Sequence, residues 1–168
     1  MLGRLWYPQL DVYDTIRRMG LLLSEWGDYS PSFERLFIAD FFFANPPLLH
    51  KTNMKSETRE IFRSLKIPKQ EKVFLQYPLA PILYHKMESV QKQSLQSLTG
   101  KGMLDLESLK TGSVKLNEFG REFTAEHGVL NLAENEKKVV KFLTESFAFD
   151  KNDGLRDLRQ RTGLRRAV

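Results

Sequence analysis

The chain has 168 residues, 41% of them hydrophobic, no cysteine and a net charge of +5, which is enough apolar material for one compact domain or two very small ones and too much for a disordered chain. The lack of cysteine excludes a disulfide framework and thiolate metal sites and fits a reducing, cytoplasmic setting. The most apolar run, "LFIADFFFA" at 36–44, is interrupted by Asp40 and far shorter than the roughly 20 residues of a membrane span, so a soluble protein with no membrane partner is expected. The charge is local: residues 151–168 carry Lys151, Arg156, Arg159, Arg161, Arg165 and Arg166 against Asp153 and Asp157, and the remainder is close to neutral. Phosphate binding would therefore come from a patch, from this tail or from another subunit.

In chain order, a first helix is predicted from Asp11, which caps it, with Asp14 in the first turn. Leu10, Tyr13, Ile16, Gly20, Leu23 and Trp26 recur at helical spacing as its apolar face, and Gly27 ends it. A second helix follows "YSPSFERLF", with Ser30 as N-cap and Pro31 at its first position, and stops at "NPPLL". Residues 56–65 form a short third helix with Ser56 as cap. Pro68, Pro78 and Pro81 mark an extended connection, and a helix from about 82 to 98 turns Leu83, Met87, Val90, Leu95 and Leu98 inward.

The stretch "LTGKGMLDLESLKTGSVKL" (98–116) then reads as a glycine turn and a β-hairpin, with strands "MLDLE" and "SVKLN" turning at Gly112. A helix capped by Asn117 and ended by Gly128 comes next, and a last helix spans about 132–148. Helix, hairpin, helix is the winged-helix order. The expected fold is mainly α with a small β-hairpin: an N-terminal helical segment packing on the core (1–66), an extended connection (67–81), a winged-helix core (82–128), a C-terminal helix (129–150) and a basic tail (151–168).

Catalytic constellations are missing from the sequence. His50, His85 and His127 belong to no metal-ligand spacing; there is no phosphate-binding loop and no nucleophile elbow; "TGKGML" has no strand-to-helix context; and Glu57 and Glu60 fit a solvated helix face. The expectation is a chain that is not an enzyme and needs no cofactor. Asp40 is less ordinary, because a charge inside an aromatic helix costs on the order of several kcal/mol unless it is paired. It either faces a groove, pairs with an arginine such as Arg17 or Arg18, or meets a partner. Phe33, Phe37, Phe41, Phe42 and Phe43 spread round more than one helical face, so Asp40, Phe41, Phe42 and Phe43 are candidate partner contacts.

The candidate DNA contacts are Lys92, Lys101, Lys110 and Lys115 on the helix and wing, with Arg156, Arg159, Arg161, Arg165 and Arg166 in the tail. Lysines suit phosphates as point charges, and no arginine fork or Asn/Gln pair is placed on the wing to read base edges, so sequence-independent positioning is expected.

"YPQLDVYDTIRRMGLLL" (7–23), "RLFIADFFFANPPLL" (35–49), "MESVQKQSLQSLTGKGMLD" (87–105) and "GSVKL" (112–116), in this order, resemble the middle component, type five, of ABC-three-component systems, over roughly residues 6–120. Asp40, Phe41 and Pro46 match the family's D-F-x-x-x-x-P helix end. The resemblance implies an SMC-like ABC ATPase subunit and an effector subunit, often a nuclease, as partners. It also implies double-stranded DNA engaged through the complex, in anti-phage or anti-plasmid defence of which Lamassu is the named example. The C-terminal helix and basic tail stand outside it. Two readings follow: a non-catalytic winged-helix subunit of such a complex, or a free-standing winged-helix transcription regulator binding DNA as a dimer.

Overall fold

The computed structural model describes residues 7–69, 79–128, 132–148 and 154–166. Within them the chain forms eight α-helices: α1 (Val12–Trp26), α2 (Phe33–Ala44), α3 (Ser56–Ser64), α4 (Ala80–Gly100), α5 (Leu106–Lys110), α6 (Glu118–His127), α7 (Glu134–Phe142) and α8 (Leu155–Thr162). A π-turn, Leu143–Phe147, prolongs α7, and short 3-10 turns precede α1 and follow α2. The protein is mainly helical. Most of the predicted connection 67–81, at 70–78, lies outside the described residues, as do 129–131 and 149–150 at the two ends of the predicted C-terminal helix segment and 151–153 at the start of the predicted tail.

Local chemistry explains the boundaries. Asp11 accepts from the Asp14 N–H at 2.8 Å to open α1, and Gly27, at φ 60°, closes it. Ser32, not Ser30, caps α2 by accepting from the Arg35 N–H at 3.2 Å. Pro31 stays outside the helix, where its carbonyl accepts from the Val114 N–H at 2.8 Å. Lys55 rather than Ser56 holds the cap position of α3. The caps of α6 fall as the sequence indicates: Asn117 Oδ1 accepts from the Gly120 N–H at 2.8 Å, and Gly128 ends the helix.

α2 is the axis of the interior, with every residue from Arg35 to Phe43 buried. A helix apolar on all sides must be enclosed on all sides, and α1, α4, α7 and α8 pack against it. Phe41 meets Phe42 and Tyr84 edge-on, and Phe42 meets Phe147, at centroid separations of 5.1–5.6 Å. One hydrophobic cluster runs from Met19 to Leu164, joining the N-terminal helices to the C-terminal ones.

Two sequence expectations are corrected. Of the expected apolar face of α1, Gly20, Leu23 and Trp26 are buried and Ile16 partly so, but Tyr13 is 82% exposed and Leu10 40%, and Thr15, Arg18, Met19, Leu21 and Leu22 are buried as well. The helix is turned so that Arg18 reaches the carboxylates of Asp14 and Asp40, an electrostatic demand that apolar periodicity does not register. The second correction is at 98–117. In place of two paired strands there is a single antiparallel bridge, Leu104–Leu116, with α5 between, and a second isolated bridge, Ser32–Ser113. Asp105 turns the expected first strand into a helix start: its carboxylate accepts from the Ser108 N–H at 2.9 Å and the Ser108 hydroxyl at 2.8 Å.

Candidate interaction surfaces

A connected set of polar side chains lies in the interior. Arg18 is 2% exposed and Asp40 is 0% exposed. The Arg18 guanidinium donates to Asp40 at 2.7 Å, to Thr15 Oγ1 at 2.9 Å, to the Pro8 carbonyl at 3.1 Å and to Asp14. Burial alone would lower its pKa, but Asp40 and then Asp14 outweigh that and hold it above the usual arginine value. The Gln91 amide donates to Asp40 at 2.8 Å and to the Phe37 carbonyl at 2.9 Å, and its oxygen accepts from Arg166. Arg166 lies over the Tyr84 ring at 3.9 Å, and desolvation lowers its pKa. The chain Asp14–Arg18–Asp40–Gln91–Arg166 thus ties α1, α2, α4 and the C-terminal segment together.

Asp40, Phe41, Phe42 and Phe43, expected to touch a partner, are therefore interior residues, between 0% and 6% exposed. Pairing with Arg18 was one of the alternatives open to Asp40, and it is the one the structure adopts. The phenylalanines are spread round α2 because α2 is surrounded by its own chain.

The cations fall into two groups. Lys92 is exposed on α4 and reaches Glu88 at 2.7 Å; Lys101 is exposed in the turn after α4. Lys110, at the end of α5, pairs with Glu107 at 2.8 Å, and the half-buried Lys115 leans towards Asp28 at 3.5 Å. A hydrogen bond from Arg121, followed by the charge of Lys115, holds the Asp28 carboxylate below its usual range. Solvent-exposed pairs of this kind contribute little to stability. The exposed face of α4 adds Lys86, Gln93 and Gln96 beside Lys92 and leads to Lys101.

The second group is not a free tail. Residues 155–162 form α8, anchored by the buried Leu158 and Leu164. Arg159 is bound to Glu34 through two hydrogen bonds. Arg161 bonds Asp157 at 2.6 Å and sits 5.3 Å from the Phe147 ring centre, and Arg166 is drawn into the interior. Arg156 and Arg165 remain exposed. Of the five arginines expected to contact DNA, three hold the C-terminal helix in place.

Two concave surfaces are found among the described residues. An open groove of about 660 Å³ lies between the end of α2, the exit of α3 and α7, with Phe43, Pro46, Ile67 and Val139 in its wall. A smaller one of about 160 Å³ runs between α1 and α6, beside the exposed Phe123. Among the described residues no group of three or more His, Asp or Glu could hold a metal ion, and no helix is long and apolar enough to cross a membrane.

The described residues thus form a mainly helical protein, locked internally by ion pairs and grooved at two places on its surface. The chain matches the family model of the ABC-three component (ABC-3C) system Middle Component 5 over residues 4–167, and it belongs to that family. The match extends past the span read from the sequence and takes in α7 and α8, so the C-terminal part is within the family pattern. No curated protein and no solved structure matches the chain.

Proposed function

We propose that this chain is the non-catalytic middle subunit of an ABC-three-component defence complex of the Lamassu kind. It links an SMC-like ABC ATPase to an effector, often a nuclease, in the cytoplasm. The observation that carries this reading is family membership along nearly the whole chain, because a middle component is defined by the subunits on either side of it. ATP hydrolysis belongs to the large partner and the toxic chemistry to the effector.

We further propose that the subunit assists DNA engagement without reading sequence. The loop between α4 and α6 is the counterpart of a wing, with its strand pairing reduced to one bridge, and Lys92, Lys101, Lys110 and Lys115 are its phosphate contacts. The polar face of α4, with Lys86 and Lys92 and no acidic residue among its fully exposed positions, supports this use. Three or four phosphate contacts predict that the logarithm of affinity falls with the logarithm of salt at a slope of about −3 to −4.

Co-expression with the ATPase and effector subunits encoded beside it, followed by affinity capture of this chain, is expected to recover both. Exchanging Lys110 and Lys115 for Glu is expected to weaken DNA binding by the assembled complex equally for unrelated sequences while assembly survives. Failure to recover either subunit would contradict the linking role. A footprint on one preferred sequence, lost in the double variant, would mark a transcription regulator instead.

A further inference from the structure

α6 wears its apolar pattern inside out. Inward it turns Gly120, Thr124 and Gly128, spaced four apart and buried, with Thr124 and Gly128 against Gly20 and Leu21 of α1 and Gly120 against Met103 and Leu116. The approach is close: a Cβ on Gly20 of α1 would stand 3.3 Å from Thr124 Oγ1, and one on Gly120 would stand 2.2 Å from the Met103 carbonyl oxygen. Small residues let the helices meet, and the large side chains are consequently left outside. Phe119 is 54% exposed and Phe123 41%. With His127 they form a column of rings, Phe119 to Phe123 at 6.2 Å and Phe123 to His127 at 4.5 Å.

Phe123 and His127 of this column line the 160 Å³ groove whose floor is Gly20, Leu98 and Met103 and whose far bank is Tyr13, with Arg17 beside it. Tyr13 is 82% exposed, the consequence of the turned α1. A second column on α6, Glu118, Glu122 and Glu126, runs alongside the rings and is exposed throughout. Glu118 suits the helix N-terminus, but Glu126 stands in the last turn, where the macrodipole disfavours an anion. Among the described residues its ion-pair neighbour is His127 at 3.8 Å, a pair that is charged only when the histidine is protonated. An external cation would relieve that cost.

We propose that this groove receives an amphipathic helix from another subunit of the ABC-three-component assembly, with apolar anchors set between Tyr13 and Phe123 and a Lys/Arg edge lying along the α6 glutamates. The inference rests on the middle-subunit reading above. Charge decides among occupants. A nucleic-acid backbone would be repelled by the glutamates, and a second copy docking here would offer them Arg17 and Arg121, which are already paired with Asp14 and Glu136 and with Asp28.

The test uses the full chain co-expressed with the ATPase and effector subunits encoded beside it. Phe119→Ser with Phe123→Ser, and separately Glu122→Lys with Glu126→Lys, should each lower recovery of one subunit by about tenfold or more. Each variant alone should keep its melting temperature within about 2 °C, because exposed positions carry little stability. A photo-crosslinker in place of Phe119 should attach to a Lys/Arg-bordered helix of that subunit. Wild-type capture of both subunits, undiminished in both double variants, would overturn the inference and leave the linking role standing. Wild-type capture of neither would overturn both. Crosslinks to a second copy of this chain, or to DNA, would overturn the proposed occupant.

Discussion

α2 and α6 both carry phenylalanines at close helical spacing, yet the structure uses them in opposite ways. α2 has apolar residues on all sides and is enclosed on all sides, with Phe41 0% and Phe42 1% exposed. α6 has only Gly120, Thr124 and Gly128 to offer its own core, and its rings face outward. The aromatic content of a helix therefore does not reveal whether it meets a partner; the spacing of its small residues does. A Gly-x-x-x-Thr-x-x-x-Gly line marks the side that packs closely, and whatever lies a third of a turn away is left for solvent or for another chain.

The contrast breaks most severely at the charge that α2 encloses. Asp40→Ala leaves Arg18 buried with half of its compensation removed, and is expected to cost about 3–5 kcal/mol in urea unfolding. Replacing both partners, Asp40→Leu with Arg18→Met, should recover most of that loss, because no uncompensated charge remains. Equal destabilisation by the single and double variants would mean that the loss does not come from leaving Arg18 uncompensated, Asp14 alone sufficing to hold it.

Truncating one ring on each helix measures the comparison directly. Phe42→Ala is expected to destabilise by about 3–5 kcal/mol through transfer and cavity terms, whereas Phe119→Ala should stay within about 0.5 kcal/mol. A similar cost for both would mean that the outward column of α6 is folded into the core.

Much of this was legible in the sequence. The ends of α1 and α6 followed from Asp11, Gly27, Asn117 and Gly128, residues whose side chain or backbone freedom acts within a few positions. The family followed from ordered motifs, and Arg18 as a partner of Asp40 from the cost of an isolated charge. What escaped depended on distant contacts. Ser32 displaced Ser30 as cap because Pro31 and Ser32 are engaged with the loop at Ser113 and Val114. Asp105 made a helix start out of an expected strand by a local hydrogen bond that competes with strand pairing. The arginines of 155–166 looked like a solvated tail because Glu34, Gln91 and Tyr84, their actual partners, lie more than 70 positions away. Phe119 and Phe123 could have been singled out from the glycine spacing beside them.

Smaller effects sharpen the packing side of the argument. Gly120→Ala would push a methyl group against the Met103 carbonyl, which accepts from the Asn117 N–H at 3.0 Å. The expected cost is about 1–3 kcal/mol, with faster hydrogen exchange at 103–117. Gly100→Ala, at a helical position with open space around it, should instead stabilise by about 0.4–1 kcal/mol through the unfolded chain. Thermal melts of the two variants side by side check both signs, and a neutral Gly120→Ala would show that α6 does not need its close approach.

The central claim is that α6, and not α2, is the face this subunit gives to its complex. Hydrogen–deuterium exchange on the full chain, alone and in the assembled complex, tests it. The account predicts that residues 118–127, together with the neighbouring groove bank at Tyr13, exchange about tenfold or more slowly in the complex, while the already enclosed 35–43 stays unchanged. Unaltered exchange at 118–127 in a complex that has demonstrably formed would contradict it.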